Sequence, residues 1–176
     1  WGNNNFRQTG YDQPALPAFP ATVPGITTAL TVAAGFEHTC AALTSGSVQC
    51  WGRGDQVQLG NAGTANSAAP VTVAGITTAT AVSLGDYHSC ARLVGGALRC
   101  WGRNVEGQLG NASTTQSSVP VVVSGITNGS VIAAGGYHTC ARLSTGEGRC
   151  WGRGDVGQLG NGFFVKPTIF DNVTPG

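Results

Sequence analysis

The chain has 176 residues, 41% of them hydrophobic and 10% charged, with a formal net charge of +1. That composition supports a packed core rather than a disordered chain. The near-neutral balance excludes the broad basic field that recruits nucleic acid or anionic lipid, and the longest apolar run, around Ala29–Gly35, is far short of a membrane span.

The chain opens on Trp1-Gly2 and contains no methionine. It reads as starting mid-repeat, as a processed or partial piece of a longer protein. Trp-Gly recurs at Trp1, Trp51, Trp101 and Trp151, a spacing of 50 residues. The same offset aligns Gly35, Gly85 and Gly135; His38, His88 and His138; Cys40, Cys90 and Cys140; and Cys50, Cys100 and Cys150. It also aligns Leu59, Leu109 and Leu159, each followed by Gly-Asn, and Pro70 with Pro120. Residues 1–26 match the second half of a repeat, and three full periods follow at 27–76, 77–126 and 127–176. The last is shortened near Phe163–Pro167. A period of this size signals a solenoid, a propeller or an array.

Each period is predicted to hold four short strands. In the second they are Thr80–Leu84, His88–Leu93, Ala97–Gly102 and, after a long loop, Pro120–Val123. No helical periodicity appears. The expected fold is all-β: propeller blades of four antiparallel strands, forming an open arc of about three and a half repeats. A β-solenoid is the rival, but its coils are usually shorter. Propellers close with about 4–8 blades, so remaining blades are an expected partner, from the same chain or a second copy. Two copies would bring eight second halves but six first halves, which favours the same chain.

The cysteines form three pairs, each ten residues apart, around Thr44-Ser45-Gly46, Val94-Gly95-Gly96 and Ser144-Thr145-Gly146. A three-residue hairpin loop favours glycine last, in the left-handed region. That register sets Cys40 opposite Cys50, Cys90 opposite Cys100 and Cys140 opposite Cys150. Each pair falls on a non-hydrogen-bonded rung, with Cα atoms about 4.5 Å apart, inside the disulfide range. Zinc would want two cysteines two to four residues apart, and no such pair exists. Disulfides in turn imply an oxidising compartment: extracellular, cell-surface or periplasmic.

The pattern A-A-G-x-x-H-T-C-A-x-L, then G-x-x-x-C-W-G, then G-Q-L-G-N is clearest at Val131–Leu143 and Arg149–Asn161. It resembles the regulator of chromosome condensation repeat, over essentially the whole chain. The resemblance implies a propeller, often seven-bladed, with four-stranded blades. Seven blades at this period need about 350 residues, so the chain is near half a ring. The family implies no single function: it includes a nucleotide exchange factor for the small GTPase Ran, a plant ultraviolet-B receptor and a secreted bacterial β-lactamase inhibitor. The paired cysteines resemble its bacterial extracellular members. No complete repeat carries the insertion that forms the exchange factor's wedge, and the tryptophans, one per repeat, do not suggest the light receptor's cluster.

His38, His88 and His138 are read as structural, each fixing its own glycine turn through a ring nitrogen, as are Trp51, Trp101 and Trp151. No metal and no cofactor is expected. No acid pair recurs in a glycosidase-like context. Ser89 adjoins His88, but neighbouring strand residues point to opposite faces, which rules out a nucleophile and base from these two. Arg53-Gly54-Asp55 and Arg153-Gly154-Asp155 spell an adhesion tripeptide that the middle repeat, Arg103-Asn104-Val105, lacks. Asn111, Asn128 and Asn172 lie in glycosylation sequons.

Recognition is expected where repeats differ at loop tips. One ring of tips is Phe36-Glu37, Asp86-Tyr87 and Gly136-Tyr137; a second is Gln56-Val57, Val105-Glu106 and Val156-Gly157. Tyrosine at a tip favours protein binding, because a rigid amphipathic ring makes contact at low entropic cost. The expected function is an extracellular binding or scaffold module and not an enzyme. The alternatives are a structural component of a surface layer or appendage, and an inhibitor of a secreted enzyme such as a β-lactamase.

Overall fold

Alternating apolar runs bounded by glycine turns form strands in every period. The computed structural model describes residues 2–11, 20–160 and 168–169. The first period contributes β1 (Ala29–Ala34), β2 (His38–Leu43), β3 (Val48–Gly52) and β4 (Ser67–Thr72). The second contributes β5 (Ala79–Leu84), β6 (His88–Leu93), β7 (Leu98–Gly102) and β8 (Ser117–Val122). The third contributes β9 (Gly129–Ala134), β10 (His138–Leu143), β11 (Gly148–Gly152) and β12 (Thr168–Ile169). Each set makes one antiparallel four-stranded sheet with neighbours in chain order. These sheets are propeller blades, as the repeat leads one to expect. β8 starts at Ser117, three residues before the predicted Pro120. Proline does not stop it there, because β8 pairs on one side alone and an outer strand tolerates a missing N–H.

The hairpins take the register set by their glycines. Leu43 donates to Ser47 O at 2.9 Å, and Cys40 faces Cys50. Cys90 faces Cys100, and Cys140 faces Cys150. All three pairs are disulfide-bonded, with Cα–Cα distances of 4.1, 4.0 and 4.0 Å. Gly46, Gly96 and Gly146 have φ of 82°, 91° and 93°. A Cβ on Gly46 would lie 2.2 Å from Thr77 O, so this turn needs glycine for space as well as for conformation.

The core lies between blades rather than within them. Consecutive strand residues point to opposite faces, so each blade offers one set to the blade before and another to the blade after. Cys40, Val48, Cys50, Leu59 and Val73 of the first period pack against Val82, Ala91 and Trp101 of the second. Cys90, Leu98, Cys100, Leu109 and Val123 pack against Ile132, Ala141 and Trp151 in the same way. On the other side of the first blade, Val23 and Ile26 pack against Ala41, Leu43 and Trp51.

Candidate functional site

His38 and His88 join blade to blade. His38 Nε2 lies 2.9 Å from Ser89 Oγ, and His88 Nε2 lies 2.8 Å from Thr139 Oγ1. Ser89 donates to Gln58 O at 2.9 Å, and Thr139 donates to Gln108 O at 3.0 Å. Each hydroxyl has given away its proton, so it accepts from the imidazole, which fixes the Nε2–H tautomer. The same carbonyls accept the indole N–H of Trp101 and Trp151, both at 2.9 Å. Gln8 O accepts from Thr39 and Trp51 in the equivalent place on the first blade. The expectation that each histidine fixes its own turn by hydrogen bonding is therefore corrected for His38 and His88. The ring does crowd its glycine, since a Cβ on Gly35 would sit 2.5 Å from His38 Cε1, but its hydrogen bond goes to the next blade. Burial, then the neighbouring His88, pushes His38 down to about 3; burial, then His138, pushes His88 down to about 4. Both rings are neutral at physiological pH.

Ser89 thus meets a histidine after all, but that of the preceding blade. Both side chains are buried, and the serine proton is committed to Gln58 O. Among the described residues, no three His, Cys, Asp or Glu side chains gather into a metal-binding group.

The two rings of loop tips emerge at the same end of the blades. In an antiparallel blade the β1–β2 and β3–β4 connections lie together, opposite the disulfide-closed hairpins. There the tips form a continuous row. Phe36 and Tyr87 meet edge to face with centroids 6.2 Å apart, and Tyr87 and Tyr137 are 6.3 Å apart. Three arginines, one from each repeat, lie over the row. Arg53 stands 5.1 Å from the Phe6 ring and 5.5 Å from Tyr87. Arg103 is 6.0 Å from Tyr87 and 5.5 Å from Tyr137, and Arg153 is 5.8 Å from Tyr137. The guanidinium plane suits the electron-rich ring face, so the ladder is held by cation–π attraction. Phe36 at its end is 63% exposed, and exposed valines flank the row, Val105 at 60% and Val156 at 78%.

The arginines differ in their anions. Arg53 forks onto Asp55 at 2.7 and 2.8 Å and also meets Glu37. Arg153 forks onto Asp155 at 2.7 and 2.6 Å, which holds that carboxyl below its usual range. The Arg-Gly-Asp tripeptides are closed on themselves by these forks. Asp86 and Tyr87 are half-buried, as are Tyr137 and Gln56, while Glu106 is exposed. Val57 is not a loop tip: it is 4% exposed, with its backbone in the left-handed region at φ 54° where the next repeats carry Gly107 and Gly157. Its side chain turns inward. Asn111 accepts from Asn104 at 3.2 Å, and Asn128 donates to Ser144 at 3.3 Å. Trp1 and Asn172 lie outside the described residues.

A groove of about 760 Å³ opens beside the ladder between the second and third blades. Val105, Glu106, Gly107, Thr114, Arg153 and Gly154 are among the residues lining it. The corresponding place between the first and second blades holds two buried side chains, Val57 where the groove has Gly107, and Asn104 where it has Gly154.

Two family models, both described as the regulator of chromosome condensation (RCC1) repeat, match the chain. One covers residues 30–56, 79–108 and 130–158, the other 45–92 and 96–142. A sequence search of curated proteins gives no match. Among solved structures, yeast RCC1 (Prp20), solved bound to Kap60, aligns with a TM-score of 0.81 at 21% identity, over 98% of this chain and 44% of that one. A second structure of Prp20p from Saccharomyces cerevisiae, also at 0.81 and 21%, was reported with its binding to Gsp1p and histones. Human WBSCR16 aligns at 0.73 and 22%, over 85% of this chain and 41% of that one. The chain therefore spans less than half the length of these relatives. On the family match, the four-stranded blades and the 50-residue period, this chain belongs to the regulator of chromosome condensation repeat family.

Proposed function

We propose that the chain is a binding and scaffold module, not an enzyme, that engages a protein partner through the face bearing the Phe36–Tyr87–Tyr137 row. The observation that carries this reading is the row itself. It is a continuous aromatic surface, overlain by arginines and flanked by exposed valines, on a scaffold of disulfide-closed blades. Tyrosine and arginine are enriched at binding hot spots because they combine large contact area with directional polar groups. Rigid blades hold them ready, so little ordering entropy is lost on binding. The yeast relative was solved in complex with a protein, which supports protein binding as the mode. Three disulfides fit an oxidising compartment, and we place the protein outside the cell, on its surface or in the periplasm. Further blades, from more chain or from a second copy, would complete a ring of the relatives' length, of which this chain spans 44% in yeast RCC1. Inhibition of a secreted enzyme is a special case of the same reading, with the aromatic row covering an active site.

Affinity capture from the native secretome, with wild type and variants side by side, tests this reading. The pair Tyr87→Ser and Tyr137→Ser is expected to lose the partner, and Val94→Ser on the opposite, hairpin face is expected to keep it. Capture that survives the tyrosine changes and fails with Val94→Ser contradicts the assignment of the face.

A further inference from the structure

We propose that Arg103 is the specificity residue of this face, and that it receives one aspartate or glutamate side chain from the partner protein. The proposal rests on the protein-binding reading above and names the chemistry it selects. Three equivalent arginines occupy the ladder, and two already hold a carboxylate. Arg53 has Asp55 and Glu37; Arg153 has Asp155. In the middle repeat the residue two places on is Val105 rather than aspartate. The Arg103 backbone N–H donates to Tyr87 O at 2.9 Å, but its guanidinium has no ion pair and no hydrogen bond among the described residues, and it lies against the rings of Tyr87 and Tyr137. A guanidinium has five donors in a fixed fork that matches a carboxylate. At Arg53 and Arg153 the fold builds that match internally; at Arg103 the fork stays open. Part of the side-chain ordering is already made there, because two rings lie 6.0 and 5.5 Å from the guanidinium.

The surroundings narrow the ligand further. Val105 follows Arg103 closely in sequence and lines the groove, and Arg153, also on the groove wall, shares Tyr137 with Arg103. An apolar neighbour of the incoming acid therefore has Val105 to lie against. Glu106 lines the same groove, and Asp86 stands on the same face. A second acid beside the first would meet these carboxylates, so the matching segment carries a single acid with apolar or basic neighbours. A free anion or a polyanion such as nucleic acid lacks that pattern, which is why a protein segment is the occupant chosen.

The test uses the blocked peptide Ac-Ala-Leu-Glu-Leu-Ala-NH2 and its glutamine analogue, titrated into the protein while the arginine Nε–H resonances are followed. The glutamate peptide is expected to shift the Arg103 signal and to bind about tenfold more tightly than the glutamine peptide. Arg103→Gln abolishes that preference, and Arg103→Lys restores it only in part, because lysine keeps the charge and loses the fork. Equal binding of the two peptides overturns the proposal. So do shifts centred on Arg53 or Arg153, and so does the absence of any shift at Arg103 up to about 10 mM peptide, a concentration above the Kd of a weak contact. Partner capture separates this proposal from its parent. If Tyr87→Ser with Tyr137→Ser loses the partner while Arg103→Gln keeps it, the binding face stands and the role of Arg103 falls.

Discussion

Val32 in β1 is 60% exposed, whereas its counterparts one and two periods on, Val82 and Ile132, are each 9% exposed. The three residues have equivalent places in their blades, and the difference is the blade that precedes them. Val82 lies in the cluster formed with the first period, and Ile132 in the cluster formed with the second. The other end of the arc shows the same contrast. Cys40, Cys50, Cys90 and Cys100 are fully buried, while Cys140 and Cys150 are half-buried. His38 and His88 each meet a hydroxyl of the following blade, and among the described residues His138 has none. A Cβ on Gly46 would strike the next repeat at Thr77, and one on Gly146 would meet nothing within 4 Å. A single blade is thus half of two cores, and its stability is set by its neighbours, as in other repeat proteins.

Substitutions can break this comparison, and the largest effect belongs to the interior. Trp101 is fully buried and bonded to Gln58 O. Trp101→Ala is expected to cost about 3–5 kcal/mol in a denaturant titration, and a loss below about 1 kcal/mol would place the core elsewhere.

Acid is the next lever. His38 and His88 are held neutral in the fold, down to about 3 and about 4, against 6.5 for the free side chain. Below pH 6.5 the unfolded chain takes up protons that the folded protein refuses. Stability from these two groups is therefore fully present above pH 6.5, falls as the pH drops toward 3, and then levels off. The loss is on the order of 3–5 kcal/mol per histidine. His38→Gln should flatten the pH dependence of thermal unfolding over that window, and an unchanged slope contradicts the buried, neutral assignment.

Two paired substitutions sharpen the contrast between interior and end. Gly46→Ala combines left-handed strain with a clash against Thr77, and is expected to cost about 2 kcal/mol or more. In this 176-residue chain, where no repeat packs on it, Gly146→Ala carries the strain alone, about 1 kcal/mol. Equal losses would mean that the hairpin does not pack on the following repeat. The smallest effect is in the inner strands: Val82→Ala should cost about 1–2 kcal/mol and Val32→Ala less than about 0.5. Thermal unfolding of both pairs reads the differences.

Much of the architecture was legible in the 50-residue period. The period marks each blade, and Gly46, Gly96 and Gly146 set the register that brings the cysteines together. Where the reading erred, the missing information lay between repeats. The bond from His38 to Ser89 spans 51 residues, and its signal was present as Thr39, Ser89 and Thr139, a hydroxyl beside every histidine. Alternation correctly separates His88 from Ser89 but does not say which neighbouring blade either side chain meets. Val57 was misplaced because a β-branched residue rarely adopts positive φ; only burial reveals it. Arg53 and Arg153 each begin an adhesion-like tripeptide, yet an arginine recurs two residues after Trp51, Trp101 and Trp151. With Tyr87 and Tyr137 one period apart, that recurrence is the sequence signature of the ladder.

The measurement that bears most directly on the binding face is hydrogen exchange of the protein alone and with its captured partner. The expected result is new protection confined to residues 35–37, 85–87, 103–107, 135–137 and 153–157, the loops that carry the aromatic and arginine ladder. Protection at 44–46, 94–96 and 144–146 instead, with the ladder loops unchanged, would put the partner on the hairpin face and contradict the account.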